Sequence, residues 1–347
     1  MDHDPNRAAP PGSGIFGLPC SAEDARVVVL PVPFDATTSY RKGAAAGPSA
    51  ILAASHQVDL LDVETGSPWK QGIAMARIPA AEERRLHRWN RDASRLAAPI
   101  IAAGGPGPIP GLARNAAKAD EICARVNGFA LDHARELLGR GKLLATLGGD
   151  HATPFGAIQA HAEAHPGMGV LHVDAHADLR DAFEGFTWSH ASIMRNVATR
   201  LPAVARIVQV GVRDLCEEEF DFIRASRGRV RTFFDPELAR ARFDGESWSS
   251  QCRRIVRPLP RDVYVSFDID GLDPSLCPHT GTPVPGGLSF HEAGRLLAAV
   301  VESGRRIVGV DLTEVAPGPS GDEWDANVGA RLLYRMIGWM LASQRRR

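Results

Sequence analysis

The feature that most constrains the fold of this 347-residue chain is a series of seven short runs that are apolar almost throughout. They are VVVLPVPF (27–34), KLLATLGG (142–149), GVLHVDA (169–175), RIVQVGV (206–212), VRTFF (230–234), DVYVSFDID (262–270) and RIVGVDLTE (306–314). Strands buried on both faces of a parallel sheet read this way, whereas half-exposed strands alternate. Between the runs lie stretches with helical spacing, at 115–140, 154–164, 190–200, 216–226, 291–303 and 327–344. Alternating strands and helices predict right-handed crossovers and a sheet covered by helices on both faces. The Gly- and Pro-rich stretch 102–111 reads as a surface loop, and residues 1–24 as a disordered tail ahead of a single domain over 25–347.

Charge excludes some functions. Forty Lys and Arg against 41 Asp and Glu give a net charge of -1, which offers no drive toward nucleic acid or an anionic membrane. A small-molecule partner is therefore expected. Five scattered cysteines without a CxxC pair indicate neither a disulfide framework nor a zinc finger. The first residues lack the pattern of an export signal, and no apolar run reaches the length of a membrane span. A cytoplasmic location is expected.

Three runs end in acidic and imidazole side chains: GGDH (148–151), DAHAD (174–178) and DID (268–270). Parallel strands share one edge at their carboxyl ends, where ligands bind. Side chains two apart on an extended segment point the same way, so Asp174, His176 and Asp178 can face one centre, and Asp268 and Asp270 follow the same rule. With His151 the set holds four carboxylates, two imidazoles and no thiolate, which suits Mn(II) better than a structural zinc. Four crowded carboxylates ask for roughly four compensating positive charges, which two divalent ions supply. Each piece alone has a plainer reading: GGDH as a turn with a helix N-cap, Asp268 or Asp270 as a cap. His172, two residues before Asp174, reads as a packed core histidine or as a hydrogen-bond partner of the site.

GGDH, DAHAD and SFDIDGLDP (266–274), in this order and followed by a Glu at the next strand end, resemble the ureohydrolases, the family of arginases and agmatinases. The resemblance runs from about residue 25 to the C-terminus. It implies a three-layer α/β/α sandwich with a mainly parallel sheet of about eight strands, and two manganese ions per chain. His151, Asp174, Asp178 and Asp268 would hold one ion, and Asp174, His176, Asp268 and Asp270 the other. It further implies that His190, in FTWSHASIMRN, moves protons to the leaving amine, and that Glu314, in DLTEVAP, anchors a guanidinium group. Read alone, His190 serves equally as a helix cap and Glu314 as half of a salt bridge.

The segments DLRDAFEGFTWSHASIMRN and 31–55 resemble agmatinases more than arginases, so the expected reaction is agmatine to putrescine plus urea. Asp181 and Glu184 are candidates for the distal ammonium of such a substrate. Ala152 and Ala191 depart from the family's usual Ser and Gly, which puts agmatine itself in doubt. Guanidinobutyrate, guanidinopropionate, arginine and guanidine are the alternatives, and a deacetylase-type amide hydrolase is a more distant one. The family commonly forms trimers or hexamers, so a homo-oligomer is expected.

Overall fold

A computed structural model describes residues 4–10 and 12–345. All seven apolar runs form strands: β1 (Val27–Val32), β3 (Leu143–Gly148), β4 (Gly169–Val173), β5 (Arg206–Val212), β6 (Val230–Phe234), β7 (Asp262–Asp268) and β8 (Arg306–Thr313). An eighth strand, β2 (Ile73–Met75), lies outside the runs and occupies one edge. The sheet has the order β2-β1-β3-β8-β7-β4-β5-β6, and every pairing is parallel.

Helices cover both faces. α1 (Gly47–Ala54), α8 (Trp248–Val256), α9 (Phe290–Glu302) and α10 (Trp324–Ser343) pack on one face around Val27, Val29 and Phe267. α7 (Asp235–Phe243) joins them through Leu238. On the other face, α2 (Ala80–Ala102), α3 (Pro110–Gly139) and α4 (Phe155–Ala164) pack over Val28 and Leu30. α5 (Ile193–Arg200) and α6 (Glu217–Ala225) cover Val170 and Ile207 on that same face. Neighbouring residues of β1 thus enter opposite cores, which is why its sequence is apolar at both parities. The architecture is the expected three-layer α/β/α sandwich.

Two boundaries differ from the sequence expectation. Within the expected tail, Ile15, Phe16 and Leu18 are buried in the core, with the Phe16 ring 4.8 Å from that of Tyr334 and its N–H donating to Ser55 Oγ at 2.8 Å. The Gly- and Pro-rich surroundings mask a short apolar cluster long enough to dock. The loop expected over 102–111 is shorter, because α2 runs through Pro99 to Ala102 and Pro110 opens α3 at a position where its missing N–H is no loss.

Candidate metal centre

The four strands that carry the expected site residues, β3, β8, β7 and β4, are consecutive at the middle of the sheet. Their carboxyl ends therefore meet. β3 hands over to a turn in which Gly149 and Asp150 donate their N–H groups to Val32 and Phe34 carbonyls. A Cβ on Gly149 would lie 2.0 Å from the Phe34 carbonyl oxygen, so this approach is open to glycine alone. Asp150 is an N-cap-like residue, accepting from Ala152 N–H and from Thr37 Oγ1, as the plainer reading of GGDH holds. His151 is thereby turned into the centre.

Its Nδ1 lies 2.9 Å from Asp174 Oδ2, 3.2 Å from Asp178 Oδ2 and 3.2 Å from Asp268 Oδ2. The other ring nitrogen, Nε2, meets Ser266 Oγ at 2.9 Å, and Ser266 donates to Asp311 Oδ1 at 3.0 Å. Since the serine proton is directed to Asp311, Nε2 carries a proton, and Nδ1 is the nitrogen that takes either a further proton or a metal ion. A second group forms beside the first. His176 Nδ1 lies 3.1 Å from Asp270 Oδ2 and 3.4 Å from Asp174 Oδ1. The two oxygens of Asp174 thus face the two groups separately. Asp268 uses Oδ1 to cap the turn Ile269–Gly271 by accepting from Asp270 N–H, leaving Oδ2 for the His151 group.

All of these carboxylates are buried. Burial first, and then the charge of Asp174, pushes Asp178 up to about 7. Asp268 is raised well above the usual range by burial and by Asp270 and Asp174. For His151 burial opposes protonation, but the three carboxylates outweigh it and raise the ring's proton affinity. Burial and neighbouring acids thus push Asp178 and Asp268 toward their protonated forms, a crowding that divalent ions relieve, and the oxygen-rich, thiolate-free donor set fits such ions. His151, Asp174 and Asp178, and separately Asp174, His176 and Asp270, lie close enough together to hold a metal ion, and Asp268 joins the first set through its contact with His151.

Glu314 follows β8 with φ 60°, and Asp178 follows β4 with φ 53°, a left-handed conformation unfavourable to both. Glu314 Oε1 accepts the His151 N–H at 3.0 Å, while Oε2 is buried without a hydrogen-bond partner. No arginine pairs with it among the described residues; His190 Nδ1 lies 3.8 Å from Oε1. Burial, then Asp268 and Asp150, raises its carboxyl well above the usual range. His190 Nε2 meets Ser39 Oγ at 3.2 Å, and burial followed by the nearby His176 lowers its pKa to about 3, so it stands neutral. Ser189 performs the capping expected of this segment, accepting from Ala191 N–H.

A cavity of about 160 Å³ opens over the centre, with His176, Asp178, Ser39, Phe183, His190 and Asp214 among its lining residues. Asp181 and Glu184 do not line it: Asp181 pairs with Arg195 at 3.4 Å, and Glu184 abuts the 103–109 loop near Gly105. His172 is not merely a packing residue, because its Nε2 lies 2.8 Å from Asp174 Oδ2. Sequence reasoning passed over Ser39, Asp214 and Thr282, which come from loops; Asp214 alone carried a signal, as an acid just past the end of β5.

The sequence pattern of the arginase family matches residues 25–338. An N(1)-aminopropylagmatine ureohydrolase of Thermus thermophilus is 36% identical over 91% of this chain and 90% of its own length. An agmatinase of Sodalis glossinidius is 31% identical over 91% of this chain and 87% of its own. Among solved structures, proclavaminate amidino hydrolase from Streptomyces clavuligerus superposes with a TM-score of 0.72 at 24% identity, over 97% of this chain and 100% of that one. The chain belongs to the arginase family and is a hydrolase of C–N bonds in linear amidines.

Proposed function

We propose that this enzyme releases urea from an alkylguanidine that carries a distal amine, at a centre holding two manganese ions. His151, Asp174, Asp178 and Asp268 would hold one ion, and His176 and Asp270, with Asp174 as the bridge, the other; the family resemblance adds Asp268 to this second set. Bound there, the ions would activate the attacking water. The observation that carries the reading is the unpartnered, buried Oε2 of Glu314 beside the two groups. A buried carboxylate oxygen without a donor is costly, and a guanidinium fork supplies the donors it lacks. The same cation would return Glu314 to its ionised form.

His190, at the cavity wall and hydrogen-bonded to Ser39, would relay a proton to the departing amine: neutral at rest, it would first take up the proton that the attacking water loses and then pass it on. The loop sequence around His190 resembles agmatinases. Higher identity to an aminopropylagmatine ureohydrolase than to an agmatinase, 36% against 31%, favours the longer N(1)-aminopropylagmatine, with agmatine the second choice. The cavity's acidic Asp214 is compatible with either cationic tail. Among the described residues no helix is long and apolar enough to cross a membrane. We place the enzyme in the cytoplasm as a homo-oligomer, a trimer or hexamer.

Urea release by the manganese-loaded enzyme, measured against aminopropylagmatine, agmatine, guanidinobutyrate, guanidinopropionate, arginine and guanidine, tests the reading. The expected order of kcat/KM puts the two amine-bearing compounds first. Absence of urea from the whole panel rejects it.

A further inference from the structure

Beneath the acidic centre, one row of polar side chains crosses the otherwise apolar sheet. In register, Thr146 on β3 faces Asp311 on β8, Asp311 faces Ser266 on β7, and Ser266 faces His172 on β4. His172 then faces Gln209 on β5, and Gln209 faces Thr232 on β6. Thr146, Asp311, Ser266, His172 and Gln209 are completely buried. Six polar residues aligned across six apolar strands are expensive to bury unless their hydrogen bonds have a use.

The bonds of the β4–β6 arm fix where the protons lie. Gln209 Nε2 donates to the Ala177 carbonyl at 2.6 Å, and its Oε1 accepts from Thr232 Oγ1 at 2.8 Å, so the amide has one orientation. The same Nε2 meets His172 Nδ1 at 3.0 Å, which makes Nδ1 an acceptor. The proton of the neutral ring is then on Nε2, and Nε2 points at Asp174 Oδ2 from 2.8 Å. His172 lies close enough to His151, Asp174 and Asp178 to count as a possible metal ligand by distance. Its proton says otherwise, because a nitrogen that carries hydrogen has no lone pair to give a cation.

We propose that His172 is a positioning residue for the bridging carboxylate: Thr232 and Gln209 hold it as an Nε2–H donor, and it orients Asp174 between the two metal groups without itself taking an ion. The inference rests on the two-metal reading above. The arm through Ser266 and Asp311 acts in parallel on His151, so the two sides of the row each set one imidazole, in opposite senses. His151 offers its site-facing nitrogen as an acceptor, and His172 offers its own as a donor.

The test compares manganese affinity, by competition with a chelator, among the full-length wild type, His172→Phe and His172→Gln, together with long-range ¹H–¹⁵N NMR of the wild-type histidines. The phenylalanine keeps bulk but removes the donor, and is expected to weaken manganese binding about 10- to 100-fold with two ions still bound at saturation. The glutamine can place an N–H near Nε2, and is expected to recover most of the loss. NMR, which needs no variant to fold, is expected to show His172 neutral with its proton on Nε2. A proton on Nδ1, unchanged affinity in His172→Phe, failure of the glutamine to recover it, or loss of one ion from the stoichiometry overturns the proposal. A wild type that binds no manganese overturns the two-metal reading instead.

Discussion

Glu314 and Asp178 stand in left-handed backbone conformations that cost about 1 kcal/mol or more each; Glu314 directly follows β8, and Asp178 lies in the segment after β4. Such conformations persist only where surrounding contacts overdetermine them. For Glu314 the contacts are its N–H on Gly149 carbonyl, its carbonyl on Thr280 Oγ1 and its Oε1 on His151 N–H. They leave Oε2 buried without a hydrogen-bond partner, the atom to which the proposed guanidinium would donate. Replacing Glu314 with Gln keeps the shape and the acceptor for His151 but removes the charge. Loss of one partner of a buried charged pair is worth about 3 kcal/mol or more, so kcat/KM is expected to fall at least roughly a hundredfold. Steady-state urea release with manganese affinity measured in parallel checks this; unchanged kcat/KM refutes the anchor.

At the scale of elements, the turn after β3 is the least tolerant join. Gly149→Ala would drive a methyl group into the Phe34 backbone, whose carbonyl is tied to the same turn by the Asp150 N–H at 2.8 Å. Because backbone cannot give way as a side chain can, the expected loss is about 3 kcal/mol or more, read as a fall in thermal midpoint and in manganese affinity together. Unaltered stability would mean that the turn is not as tight as described.

What was legible in the sequence follows the same scale. Seven strands were readable because burial on both faces writes a continuous apolar run, and their ends carried the acids and imidazoles. β2 is three residues long at an edge and gives no such run. α2 hides its buried stripe in small residues, Ala93 and Ala97 beside Leu86 and Ile100, among many charges. α7 buries only Asp235 and Leu238, and no apolar stripe marks it. The loops that bring Ser39, Asp214 and Thr282 to the cavity are placed by tertiary contact, which no local pattern encodes. The role of His172 was half legible: its proximity to Asp174 followed from strand alternation, but the deciding bond comes from Gln209 on another strand.

For the whole molecule, cations entering the acidic centre would displace the protons that burial favours on Asp178 and Asp268. Asp178, raised to about 7, is protonated below that value in the metal-free chain. Metal binding therefore releases a proton below pH 7 and none from this group well above it. Manganese affinity is expected to rise from pH 5.5 toward 7, this one proton contributing about tenfold per pH unit. Calorimetric titration in buffers of different ionisation enthalpy reads both the affinity and the proton count. An affinity that does not change with pH contradicts the charge balance described.

The central claim is that the ends of β3, β4 and β7 enclose two cations with Asp174 between them. Anomalous diffraction at the manganese edge, on crystals of the manganese-loaded enzyme, tests it most directly. The account predicts two peaks roughly 3.5–4 Å apart, one against His151 and Asp178, the other against His176 and Asp270, with one oxygen of Asp174 on each. A single peak, or peaks away from Asp174, would contradict it.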